Sequence, residues 1–138
     1  MKKLTIYTHG ESQGNPGPAA IGVWVVDKKG AVVLELAETI GNATKDYAEY
    51  FAVVRALQEL RENLGDQSVT MQCELRVDNK VLKQQLNAEH EVKDVSVVGH
   101  FVEIYNLRVV HFPNLLPIYI NKDENKIAIK LAKTALII

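Results

Sequence analysis

The chain has 138 residues, 47% hydrophobic and 24% charged, which fits one folded domain (1–138) with a sizeable core and excludes a disordered chain. Lysine and arginine number 16 against 17 acidic residues, a net charge of −1, so any nucleic-acid binding must rest on a local patch. The single cysteine, Cys73, excludes an intramolecular disulfide. No apolar run reaches the ~18 residues of a membrane span, and the opening segment through Gly10 is too short and too polar for a signal-peptide core. Cytoplasmic residence with no membrane partner is the expectation.

In chain order, Leu4 to Thr8 alternates apolar and polar residues, as a half-buried strand does. Gly10, Gly14, Pro16, Gly17 and Pro18 then mark a turn-rich loop. Ile21 to Val26 and Val32 to Thr39 are strands around Asp27-Lys28-Lys29-Gly30, which makes a hairpin. A helix starts near Thr44. Tyr47, Tyr50, Phe51, Val54, Leu57 and Leu60 follow one helical face, and Leu64-Gly65 ends it.

Val69 to Val77 reads as a fourth strand, with Asp78 as the N-cap of a helix from Asn79 to about Leu86. A helix from about Ser96 to Phe112, a short strand Leu116 to Ile120 and a final helix Lys126 to Leu136 complete the chain. Strands joined by tight turns pair antiparallel, and strands separated by helices pair parallel. The expected fold class is therefore α/β, a mixed five-stranded sheet flanked by helices.

The segment Tyr7-Thr8-His9-Gly10-Glu11-Ser12-Gln13-Gly14-Asn15-Pro16-Gly17-Pro18-Ala19 resembles the opening of ribonuclease HI, in its compact archaeal and bacterial forms. Ala48-Glu49-Tyr50, Arg76-Val77-Asp78-Asn79 and Asp123-Glu124-Asn125-Lys126-Ile127-Ala128-Ile129-Lys130-Leu131-Ala132 resemble the family's later motifs, in the family's order. The resemblance implies a ribonuclease H-like fold. It also implies a site in which four carboxylates hold Mg²⁺ or Mn²⁺ ions and the RNA strand of an RNA/DNA hybrid is cut.

Mg²⁺ wants hard oxygen ligands, and a pair of ions ~4 Å apart needs a ligand that bridges them. Carried over by position, the site residues are His9, Glu49, Asp78 and Ile129, of which only Glu49 and Asp78 keep carboxylates. His9 stands at the usual bridging aspartate, and Ile129 can ligate nothing. After Thr44 the family has two asparagines, whereas this chain has Lys45-Asp46. The expectation is a degenerate site, with metal binding weakened and no bound ion. Alternatively, His9, Glu49 and Asp78 form a different site suited to Mn²⁺, Fe²⁺ or Zn²⁺.

The resemblance assigns nucleic-acid contacts to Gly14, Asn15, Thr44 and Asn79, and Lys80, Lys83 and Lys93 are candidate phosphate contacts. His90, His100 and His111 show no ligand spacing. Three readings stand: a pseudoenzyme that binds RNA/DNA hybrid or double-stranded RNA, an impaired metal-dependent ribonuclease H, and a non-catalytic scaffold acting as a homodimer. The homodimer expectation rests on the apolar content of 95–112 and on the terminus Ala135-Leu136-Ile137-Ile138.

Overall fold

The computed structural model describes residues 2–137. Strands β1 (Lys3–Ser12), β2 (Gly17–Asp27), β3 (Val32–Ala43), β4 (Gln72–Val77) and β5 (Leu115–Tyr119) form one sheet in the order β3-β2-β1-β4-β5. The first three pair antiparallel, and β4 and β5 join parallel on the other side of β1. Helices α1 (Lys45–Leu64), α2 (Lys80–Leu86), α3 (Val95–Val110) and α4 (Lys126–Ile137) flank it. This is the expected mixed sheet.

The boundaries shift for physical reasons. β1 runs past Thr8 because His9, Gly10, Glu11 and Ser12 pair with Gly22, Ile21, Ala20 and Ala19. His9 therefore sits on a strand and not in a loop. Val69 is not in β4. Gly65, at φ 56, ends α1, and the chain then winds a 3-10 turn over Gly65–Thr70, with Met71 N–H donating to Ser68 O at 3.3 Å. Asp78 is not the cap of α2. That cap is Asn79, whose Oδ1 accepts from Leu82 N–H at 3.0 Å, which leaves Asp78 free for other partners. Asp94 caps α3 in the same way, accepting from Ser96 N–H.

Two glycines press helices onto opposite faces of the sheet beside His9. Leu4 and Ile6 of β1 enter the core with Val53, Val54, Leu57 and Leu60 of α1. On the same face, a Cβ at Gly10 would fall 2.3 Å from the backbone of Ala48 and Glu49, so α1 lies directly on β1 there. Gly22, opposite His9 in register, faces the other side, where an added Cβ would fall 2.0 Å from Ala128 O of α4. The buried alanines Ala128, Ala132 and Ala135 give α4 the flat face this approach requires. The apolar terminus is helical through Ile137, whose side chain is exposed, and Ile138 lies outside the described residues.

Gly22→Ala is expected to cost about 1–3 kcal/mol, because the clash is with backbone and α4 must shift as a unit. The midpoint of urea unfolding measures it, and an unchanged midpoint would contradict the close approach of α4.

Candidate active site

Four backbone segments converge at the C-terminal end of β1. β1 supplies His9 and Glu11, which share a sheet face because strand side chains alternate. The first turns of α1 supply Lys45 and Glu49. That helix starts where Thr44 Oγ1 accepts from Tyr47 N–H at 3.1 Å. The end of β4 supplies Asp78, and the turn before α4 supplies Asn125.

His9 is the hub. Its Nδ1 lies 2.8 Å from Asp78 Oδ2 and 3.6 Å from Glu49 Oε1, and its Nε2 lies 2.6 Å from Glu11 Oε1. His9, Glu49 and the Asp78 side chain are essentially without solvent contact. Asn125 Nδ2 donates to Asp78 Oδ2 at 2.7 Å and to Thr8 O at 2.9 Å, tying α4 to both strands. Lys45 Nζ lies 3.7 Å from Glu49 Oε1, and neither oxygen of Glu49 has a hydrogen-bond partner among the described residues.

Both ring nitrogens of His9 face carboxylates. A neutral ring would turn one lone pair toward a negative oxygen, whereas a doubly protonated ring donates on both sides. Burial works against the charge on His9. The hydrogen bond to Asp78, the charges of Glu49 and Asp78 and the hydrogen bond to Glu11 outweigh it and raise the pKa above the ordinary histidine value. For Asp78 too, burial is outweighed, by the hydrogen bond and charge of His9 and by Asn125, and its pKa falls below the usual carboxylate range. Glu49 goes the other way: complete burial pushes it up to about 7 despite the neighbouring His9.

This arrangement does not fit the pair of hard cations that the resemblance implies. Asp78 Oδ2 is already taken by His9 and Asn125, and an imidazolium has no lone pair for a metal. Potential ligand atoms of His9, Glu49 and Asp78 lie within 4.8 Å of one another, and the turn before α4 adds only the neutral amide of Asn125 beside them. Ile129, half-buried in the first turn of α4, offers only hydrocarbon. A single softer ion would require His9 Nδ1 to surrender its proton and its bond to Asp78. Among the described residues, both oxygens of Glu49, Oδ1 of Asn125 and Oγ1 of Thr8 are buried here without a hydrogen-bond partner.

The remaining expected residues hold structural posts. Thr44 and Asn79 are helix caps. Asn15 Oδ1 accepts from Lys45 N–H at 3.2 Å, which docks the Gly14–Gly17 loop on the start of α1, and Gln13 N–H closes that loop on Pro18 O at 2.8 Å. Lys83 and Lys93 pair with Glu89 and Glu91, while Lys80 is exposed and enters no ion pair among the described residues. His100 packs edge-on against Tyr47, with ring centroids 4.6 Å apart, His90 is exposed, and His111 caps α3. Sequence reading missed Glu11 and Asn125 as site residues and took Lys45 only as a departure from the family pattern.

The sheet order, the helices on both faces and the acidic cluster at the end of β1 define a domain of the ribonuclease H-like class. Residues 8–135 match the family model described as reverse transcriptase-like. The fold is similar to that of LC11 ribonuclease H1, isolated from compost, with a TM-score of 0.93 and 37% identity over 99% of this chain and 96% of that one. The structure of that ribonuclease in complex with an RNA/DNA hybrid gives 0.91 at 35% identity, over 96% of each chain. In sequence, ribonuclease HI of Halobacterium salinarum is 38% identical over 92 residues, 67% of this chain and 44% of that protein. Bifunctional protein Rv2228c of Mycobacterium tuberculosis is 29% identical over 136 residues, 97% of this chain and 35% of that protein. The chain thus spans less than half the length of these curated relatives. It belongs to the ribonuclease HI family.

The site makes stability depend on pH. Glu49 is raised, so its contribution is complete below its unfolded value of 4.5 and is lost as pH rises through about 7. His9 is also raised, so its contribution is present below 6.5 and is lost above that. Asp78 is lowered and acts oppositely, losing its contribution only as pH falls below 3.8. The unfolding free energy is expected to be larger at pH 5 than at pH 8.5 by on the order of 1–3 kcal/mol, and the thermal midpoint correspondingly higher. Glu49→Gln, a neutral isostere, should flatten that slope. A midpoint that rises from pH 5 to pH 8.5 would contradict the assignment.

Proposed function

We propose that this ribonuclease HI family member binds RNA/DNA hybrid or double-stranded RNA without cutting it. The observation that carries this reading is His9, with Asp78 on one ring nitrogen and Glu11 on the other, at the position of the family's bridging carboxylate. The imidazolium supplies positive charge among buried carboxylates, as a cation would. It has no open coordination position with which to polarise a phosphate or lower the pKa of a water, the two services a catalytic cation provides. Metal-dependent phosphoryl transfer is almost entirely positioning and electrostatic stabilisation, so the loss of those ligands removes most of the rate.

The binding half rests on different residues. The Gly14–Gly17 loop is intact and docked on α1 by Asn15, with Thr44 and the ammonium of Lys45 beside it. In the family resemblance this loop contacts the minor groove through its backbone, and a ribonuclease H1 of nearly the same fold was solved with an RNA/DNA hybrid. Backbone contacts of this kind read shape, not sequence. The modest local charge predicts weak binding with a shallow dependence on salt.

With purified protein at high concentration, no hybrid cleavage is expected in Mg²⁺ or Mn²⁺, and hybrid binding should be equal in EDTA. His9→Asp alone should not restore full activity, and His9→Asp with Ile129→Asp should exceed either single change. His9→Asp should also lower the thermal midpoint in EDTA, because it gathers unpaired carboxylates, and Mg²⁺ should recover part of the loss. Robust wild-type turnover that Asp78→Asn abolishes would overturn the reading.

A further inference from the structure

The end of the sheet opposite His9 carries a hollow of about 600 Å³ that takes no part in the site described above. It lies between the start of β1, the β2–β3 turn and the end of α1. A strand rises ~3.3 Å per residue, so Leu4, which lines the hollow, stands ~17 Å from His9 along β1. The apolar lining is Leu4, Val33, Leu64 and Met71. Leu4 and Met71 belong to the buried core, and Val33 and Leu64 are half-buried against it. A concave surface of this size with an apolar lining is the usual form of a binding pocket.

Cations crowd its rim. Lys2, Lys3, Lys28 and Lys29 all line the hollow, and all four are exposed. The acidic residue among the lining is Asp27. Its Oδ1 accepts from the backbone N–H groups of Lys29 and Ala31, both at 2.9 Å, which commits it to the turn. Lys3 pairs with Glu74 at 3.1 Å. Asp66 precedes Gln67 of the lining but does not itself line the hollow. Lys2, Lys28 and Lys29 enter no ion pair among the described residues. In a chain of net charge −1, three uncompensated lysines around one hollow are a local excess of positive charge.

The two features together narrow the occupant. A phosphodiester backbone would meet the lysine heads and leave the aliphatic lining wet. No aromatic or arginine side chain lines the hollow for a base to stack on. A membrane surface takes up protruding apolar side chains, whereas here the apolar residues are buried or half-buried and the lysines stand out. An acidic peptide answers both features, with one apolar side chain in the hollow and carboxylates on the rim. Lysine suits that role, because an ammonium on a flexible stem accepts a carboxylate from many directions.

We propose that this hollow docks an acidic segment of a partner protein. The segment inserts one apolar side chain among Leu4, Val33, Leu64 and Met71 and sets its flanking carboxylates against Lys2, Lys28 and Lys29. The surface is remote from the Gly14–Gly17 loop and the His9 cluster, so a docked partner leaves both uncovered. The proposal stands whether or not the chain binds hybrid.

Fluorescence anisotropy with a labelled peptide of aspartates flanking a leucine pair tests it, and the methyl NMR signal of Met71 reports the place of binding. Saturable binding that weakens with added salt is expected, with a shift of the Met71 signal. The same peptide with serine for leucine should bind about tenfold more weakly, and so should the original peptide to the variant Lys28→Glu with Lys29→Glu. That variant keeps the backbone hydrogen bonds of the turn, so its urea midpoint should match the wild type. No binding at sub-millimolar peptide, binding indifferent to the leucines or to the lysine changes, or an unmoved Met71 signal would overturn the proposal. So would a single-stranded oligonucleotide or phosphatidylglycerol vesicles that bind with the same dependence on Lys28 and Lys29 and shift Met71, which would assign the rim to phosphate.

Discussion

The site depends on one interaction, a histidine ring clamped between carboxylates in a place water does not reach. Glu49 and Asp78 are brought together by the close approach of α1 to β1 at Gly10 and by the end of β4. Two buried carboxylates so close repel each other, and removing the partner of a buried charge costs about 3–5 kcal/mol. His9 meets that requirement from within the chain, with Glu11 and Asn125 holding the ring and Asp78 in place. A divalent ion would meet the same electrostatic need and leave chemistry available. An imidazolium meets the need without offering a coordination position.

The scaffold around His9 has the family fold. Gly10 and Gly22 admit α1 and α4 where a Cβ would collide with their backbones, and Asn125 anchors the start of α4 to β1. The loop that docks through Asn15 is likewise intact. The packing that sets the backbone is separate from the side chains that set the chemistry, so a histidine stands in this cluster within an unchanged fold class.

Much of the fold was legible in the residues. Period-2 and 3.6 patterns located β2, β3, α1 and α4, and the turn chemistry at Asp27–Gly30 fixed the hairpin. The misses have specific causes. Alternation in 69–71 imitated a strand, but Gly65 in the left-handed region turned the chain into a 3-10 segment first. Asp78 and its neighbour Asn79 are both good caps, and only tertiary contacts with His9 and Asn125 decide which one serves. Glu11 was within reach, since residues 9 and 11 of a strand share a face, and so was Lys45, four residues before Glu49 on a helix. Asn125 was not, because its partners Thr8 and Asp78 are distant in sequence. The outer face of α3 was suspected from composition, but which residues stand outside came from the packing of Val97 and Ile104 against the core.

The central claim is the protonation state of His9, and ¹⁵N–¹H NMR of the imidazole ring tests it most directly. The account predicts protons on both Nδ1 and Nε2 at neutral pH, with ring shifts that do not move when millimolar Mg²⁺ is added. A ring with one bare nitrogen, or ring signals that shift or broaden on titration with Mg²⁺ or Mn²⁺, would contradict it.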